Sequence, residues 1–301
     1  MGTKNKQDFF VLLSFFLTFA AAKLRIIIET SKKGMENQGK GRIIIRIGRQ
    51  HLSFSTIDMT QDENPITYEP YVVRSGISMA ANLREALKDA ELTDQGVRKA
   101  MVMVDVAMLL IPVEQFEVTT MEKMYHHAFP KKEQEQVLYN VLPDLNVVSV
   151  FAINKDLHTV LTDHFDDVKI MAALSPVWRH LHHRSFTGTH HKLYGYFHDQ
   201  HLDIFAFQQN RFKFYNQFET SRSHDALYFL LYVWYQLMFS QEKDEMYLVG
   251  DIPERDWLTE ELKTYVQKTY VINPSADFNR APATQVKNMP YDLMTLFTKG
   301  R

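Results

Sequence analysis

The chain has 301 residues, with 34 Lys and Arg against 36 Asp and Glu and a formal net charge of −2. That length suits about two domains, and the near-neutral charge leaves no global field to draw the chain to nucleic acid or to an anionic membrane. Cysteine is absent, which excludes disulfides, thiolate zinc sites, iron–sulfur clusters and cysteine nucleophiles.

The first segment, residues 1–41, is set apart from the fold. Phe9 to Ala22 (FFVLLSFFLTFAAA) is an apolar run behind Lys4 and Lys6, shorter than the roughly 20 residues a membrane span needs. Three readings are open. It is a secretory signal or anchor, or sequence upstream of a true start at Met35, or an ordinary buried segment. Gly34 to Gly41 (GMENQGKG) matches most of a P-loop pattern, but Gly41 stands where Ser or Thr must bind Mg²⁺. A β-rich run follows it instead of a helix, so a basic linker is expected.

From Arg42 the elements follow in order. Arg42 to Ile47 and His51 to Asp58 read as a hairpin around Gly48-Arg49-Gln50, with Ile66 to Val73 as a third strand. Ser78 can cap a helix running to about Ala90. Lys99 to Val113 (KAMVMVDVAMLLIPV) reads as one strand buried on both faces. A helix over Thr119 to Phe129 precedes strands Gln136 to Leu142 and Val147 to Ile153, which flank the turn Pro143 to Asn146. Leu157 to Phe165 is helical, Val168 to Leu174 a strand, and Pro176 suits the first turn of another helix.

The second half opens with strands Lys192 to His198, Leu202 to Gln208 and Arg211 to Phe218, linked by Asp199-Gln200-His201 and Gln209-Asn210. Ser223 is expected to cap a long helix, His224 to Phe239, apolar nearly all round and therefore buried or partnered. Then come a strand Glu245 to Val249 ending at Gly250-Asp251, a helix Asp256 to Lys268, a short strand Val271-Ile272 before Asn273-Pro274, and a last helix Tyr291 to Phe297. Each half thus opens with a three-strand meander and continues helix–strand–helix–strand. The expectation is an α/β protein with mixed sheets, built as two ribonuclease-H-like lobes over 42–186 and 187–275. A tail over 276–301 packs its helix back on the first lobe.

The stretch Lys192 to Ser275 carries a resemblance: Leu248-Val249-Gly250-Asp251, the helix from Asp256, and Val271 to Pro274. It resembles the second lobe of actin-like ATPases, especially the pilus-assembly member. Phe214 to Phe218 and Ala226 to Leu231 look like an uncharacterised bacterial domain-of-unknown-function family related to that superfamily. The resemblance implies a degenerate actin-like ATPase fold, with ATP and Mg²⁺ as the ligands of its cleft. Such ATPases place an Asp- and Gly-rich hairpin under the phosphates in each lobe. Here the hairpins read Arg46, Gly48-Arg49-Gln50 and Asp199-Gln200-His201, without the expected acid–glycine–hydroxyl order. Gly250 and Asp251 alone match the adenosine-side motif, so no cofactor and no catalytic residues are expected.

Other motifs have plain readings. His180, His182, His183, His190 and His191 crowd together, and the first three are weak metal candidates. Their spacing does not place three ligands on one helical face, so a solvated basic hinge is expected. Ser223-His224-Asp225 has the residue types of a triad, but neighbours in sequence cannot adopt triad geometry. Arg211 to Phe218 interleaves basic and aromatic residues as a strand that binds single-stranded nucleic acid would, yet simple alternation explains it. The protein is expected to be a cytoplasmic, non-catalytic binding or scaffold module with a protein partner or a second copy of itself. The alternatives are an ATP-binding switch or weak ATPase, and a component exported or anchored to a membrane through Phe9 to Ala22.

Overall fold

The computed structural model describes residues 41–58, 65–93, 96–186, 190–208 and 211–298. The apolar run Phe9 to Ala22 lies outside these residues, as does all of the Gly34 segment except Gly41. The first lobe begins with β1 (Ile43–Ile47), β2 (His51–Ile57) and β3 (Ile66–Val72), followed by α1 (Met79–Asp89). The isoleucines of β1 are β-branched and buried on both faces, which suits a central strand. Ser78 caps α1 by accepting from the Ala81 N–H.

The apolar run from Lys99 is two strands, not one. β4 (Lys99–Val104) stays in the first sheet, and β5 (Met108–Pro112) leaves it for another. The break falls at Asp105, a carboxylate that a strand buried on both faces does not accommodate without a partner. β5 joins an antiparallel sheet with two strands that follow α2 (Val118–Ala128). β6 (Glu135–Leu142) and β7 (Val147–Asn154) pair across a turn closed by the left-handed Asn146. Asn154 caps α3 (Lys155–His164) by accepting from the Asp156 and Leu157 N–H groups. β8 (Asp167–Ala172) and α4 (Leu174–Arg184) complete the lobe.

The second lobe comprises β9 (Lys192–His198), β10 (His201–Gln208), β11 (Arg211–Glu219), α5 (Ser223–Gln236), β12 (Glu245–Gly250), α6 (Arg255–Tyr265) and β13 (Thr269–Val271). A short α7 (Pro274–Asp277) and α8 (Tyr291–Phe297) end the chain. The two five-stranded sheets have the same order, β3-β2-β1-β4-β8 and β11-β10-β9-β12-β13. In both, the first three strands are antiparallel and the last two run parallel to the central one. The repeat expected from sequence is therefore real, and the small sheet is an insertion in the first lobe only.

One core runs across both lobes. Trp178 of α4 is fully buried and meets Phe205, Phe212 and Tyr215 edge-on. So α4 is a buried strut and not a solvated hinge. A second core lies between the β9–β10–β12 face and α5 and α6. A third sets Met289 and Leu293 of the C-terminal segment against Ile44, Met101 and Met103 of the first sheet.

Two further details depart from the sequence reading. Ser223 is the first residue of α5, not its cap; Arg222 holds that place, and the Ser223 hydroxyl donates to Glu254 instead. A bulge at Ala206/Phe207 shifts the β10–β11 register, so Phe212 and Tyr215 pack together on Trp178 where strict alternation would separate them. The alternation preferred over a nucleic-acid face is thus broken by the bulge, and Phe212 and Tyr215 both pack against the core. Among the described residues, no helix is long and apolar enough to cross a membrane.

Candidate functional site

The ends of β1, β4 and β9 meet in the seam between the lobes. Strand alternation decides what they bring. Ile43, Ile45 and Ile47 point into the shared core, so Ile44 and Arg46 point the other way, towards α8. The Arg46 Nε donates to both carboxylate oxygens of Asp292, at 3.0 and 2.8 Å. Its Nη1 and Nη2 each lie 3.3 Å from Asp199 Oδ2. Arg46 and Asp292 are 3% and 1% exposed, so the pair is cut off from solvent screening and neither member tolerates loss of the other.

The two hairpin turns touch. A Cβ at Gly48 would lie 2.5 Å from Asp199 Oδ2 and 2.6 Å from Arg46 Nη1, so glycine is what permits the approach. In the opposite turn Asp199 and Gln200 both take left-handed backbone, φ 43° and 63°. His51, at the start of β2, sets its Nδ1 3.3 Å from Asp199 Oδ1 at the solvent edge.

Behind the turn lies a second group. His198 ends β9, and its Nε2 bonds to Asp203 Oδ2 on β10. Tyr215 donates to the other Asp203 oxygen at 3.0 Å. The remaining ring nitrogen, Nδ1, faces Asp105 Oδ2 at 3.5 Å, and both of these buried atoms lack a hydrogen-bond partner. One donor atom each from Asp105, His198 and Asp199 falls within 4.8 Å of the other two; among the described residues this is the group that converges so.

The electrostatics follow from burial and neighbours. Burial opposes the His198 cation, but Asp203 and then Asp105 outweigh it and push the imidazole up to about 9. Burial pushes the Asp105 carboxyl up, and the His198 charge offsets only part of that. Asp199 is held below the usual carboxylate range: burial works to raise it, and Arg46 and His198 prevail. Burial also opposes the Arg46 charge, but Asp292 foremost keeps it firmly protonated.

The residues singled out from sequence lie elsewhere, apart from Arg46 and the two turns. Gly250 ends β12 at φ 94°, where a Cβ would collide with the Phe197 carbonyl. Asp251 is exposed and its N–H donates to that same carbonyl at 2.9 Å. His180 Nε2 sits 2.7 Å from Asp277 Oδ2. His182 is buried against Phe186 and Phe207, and His183 Nδ1 donates to the Arg179 carbonyl at 3.0 Å. His182 and His183 share the Phe186 ring while His180 turns to Asp277, and among the described residues the three are not in a group whose donor atoms converge. Ser223 bonds to Glu254 while the His224 ring lies on Trp257, so the apparent triad does not assemble. Asp105, His198, Asp203 and Asp292 were not picked out from the sequence. Their common signal is an ionisable residue inside an otherwise apolar strand or helix face.

Comparison with known proteins accords with this architecture. The chain belongs to the family described as protein of unknown function DUF3822, which matches residues 30–269. A crystal structure from Bacteroides thetaiotaomicron VPI-5482, of a protein with actin-like ATPase fold and unknown function, is 28% identical. It superposes with a TM-score of 0.72 over 80% of this chain and 95% of that one. The chain is also similar to the structure of the PilM–PilN type IV pilus biogenesis complex, at 11% identity and a TM-score of 0.53, over 86% of this chain and 97% of that one. That second likeness is one of fold alone. No curated protein matches. The fold is that of the actin-like ATPases, as the resemblance implied.

Proposed function

We propose that this member of the DUF3822 family is a non-catalytic binding or scaffold protein, one that keeps the two-lobed actin-like frame without phosphoryl transfer. The observation that carries the reading is the direct contact of the two hairpin turns. In an actin-like ATPase the corresponding turns hold the phosphates between them. Here Gly48 packs on Asp199, and the Arg46 guanidinium lies in the seam with Asp199 and Asp292 already neutralising it. A phosphate entering this space would have to break a buried ion pair before making any contact of its own.

Binding in place of chemistry also suits the outer face of α5. Tyr228, Tyr232 and Tyr235 stand exposed one turn apart, and aromatic side chains of this kind are enriched where proteins meet. The helix is thus buried on one face, with the other offered to solvent, and a protein partner is the ligand class this reading favours.

The test is nucleotide turnover and binding by the full chain. Incubation with ATP and Mg²⁺ should give no hydrolysis above buffer, and millimolar ATP should leave the melting temperature unchanged, since specific binding would raise it by mass action. Mg²⁺-dependent hydrolysis that Asp199→Asn abolishes would overturn the reading. A second reading, an ATP-binding switch, rests on Gly250 and its left-handed conformation at the adenosine-side position. Saturable ATP binding without turnover by the unaltered chain would favour it.

A further inference from the structure

We infer that Asp105, His198 and Asp199 form a binding site for one divalent first-row transition-metal ion, held between the two lobes without any nucleotide. The argument is geometric. Two donors that each lie about 2.1 Å from a tetrahedral ion are about 3.4 Å apart. His198 Nδ1 and Asp105 Oδ2 are 3.5 Å apart, too far for a strong hydrogen bond and right for two ligands of one ion. Both side chains are more than nine-tenths buried, and neither atom has a hydrogen-bond partner. Two facing polar atoms left so in a protein interior ask for a ligand. A carboxylate oxygen of Asp199 completes the three, within 4.8 Å of both.

The surroundings are those of a metal site as well. The other nitrogen of His198 is bound by Asp203, which Tyr215 holds in turn. This carboxylate–histidine relay fixes the ring and aims Nδ1 at the site, as outer carboxylates do for metal-bound imidazoles. Four carboxyl groups, of Asp105, Asp199, Asp203 and Asp292, face Arg46 and His198 here, with His51 at the solvent edge beside Asp199. That surplus of anionic donors favours a cation. One imidazole with two carboxylates suits Zn²⁺, Mn²⁺ or Fe²⁺. Coordination takes the place of the Nδ1 proton, which leaves to solvent. Asp105 comes from the first lobe and His198 and Asp199 from the second, so the ion would tie the lobes together. None of this depends on the absence of ATP turnover.

The experiment uses the full chain stripped of metal by chelation, titrated calorimetrically with Zn²⁺ and with Mn²⁺ in nucleotide-free buffer. One ion per chain is expected, with a rise in melting temperature, and the Mn²⁺ form should show coupling to a single imidazole nitrogen by pulsed electron paramagnetic resonance. Asp105→Asn should lower affinity at least about 100-fold, and Asp203→Asn about 10- to 100-fold. Asp105→Asn keeps the size of the side chain, and its unfolding curve without metal checks that the fold is kept. His183→Ala, on the surface of α4, should bind as the unaltered chain does. The inference is overturned by the lack of saturable binding up to about 1 mM, where site-specific stabilisation would be plain. It is equally overturned by unchanged affinity in Asp105→Asn, or by a bound ion without an imidazole nitrogen.

Discussion

The two lobes share one frame and differ at almost every position that could do chemistry. Strand register aligns them residue by residue. Ile47 faces Leu52 as Phe197 faces Leu202, and Arg46 faces Ser53 as Tyr196 faces Asp203. The Asp105 N–H donates to the Ile47 carbonyl and the Asp251 N–H to the Phe197 carbonyl, both at 2.9 Å. On that alignment Arg46 corresponds to Tyr196, Gly48 to His198, Arg49 to Asp199 and Val104 to Gly250. The first lobe brings Arg46, Gly48 and Asp105 to the seam, and the second brings His198, Asp199 and Asp203. The Asp105 side chain is buried while its counterpart Asp251 is exposed. Backbone pairing preserves the repeat because it is indifferent to side chains. The seam holds because the side chains have become complementary rather than alike.

The sharpest way to break that complementarity is Arg46→Leu. It strands Asp292, with Asp199 beside it, and should cost about 3–5 kcal/mol in urea unfolding. Adding Asp292→Leu should restore most of the loss, because a buried pair replaced by apolar groups is often neutral. A double variant as unstable as the single one would place the loss with Asp199 across the seam and not with Asp292.

A second ionic junction lies away from the seam and tests whether the tail needs one of its own. Asp277 accepts from Tyr291 at 2.8 Å and pairs with His180 and Arg184. Its carboxyl is held below the usual range: burial opposes this, and His180, Tyr291 and Arg184 outweigh it. A depressed folded value means stability that is present above the unfolded value of about 4 and lost as pH falls through the folded one. Asp277→Asn should therefore cost about 3 kcal/mol at pH 7 and flatten the acid limb of the stability curve. An acid limb as steep as before would assign that limb to other carboxylates.

Gly250→Ala comes next. Its Cβ would meet the Phe197 carbonyl in left-handed backbone, and a loss of about 1–3 kcal/mol is expected from denaturant melts. In the first lobe the corresponding residue is Val104, with no such demand. The glycine of the adenosine-side motif thus has a structural duty whether or not a nucleotide binds.

How much of this could be read from the sequence follows from the range of the interactions. Meanders, turns and caps are local, so the repeat, the Ser78 cap and the Asn146 turn were legible. The seam is not local: Arg46 and Asp292 are 246 positions apart, and no pattern of period two or 3.6 joins them. Asp105 left a trace, a carboxylate inside an apolar run, but the run was long enough to read as one strand. Asp203 left the same trace in LDIFAF. The bulge at Lys213 in β11 left none, because a register shift appears only when the neighbouring strand is in place.

The smallest effect concerns the helices that follow each meander. On α1 the outward residues are Arg84, Lys88 and Asp89; on α5 they are Tyr228, Tyr232 and Tyr235. Inward, both helices pack apolar residues on their sheets, with Asn82 of α1 buried among them. Changing any one of the three tyrosines to serine should therefore shift urea stability by less than about 0.5 kcal/mol, as for other surface positions. A loss above about 1 kcal/mol would place the rings among the supports of the fold. The expected indifference has a consequence. Exposed aromatic area is costly in water, and if the fold does not use it, its place on α5 and not on α1 supports the binding role proposed above.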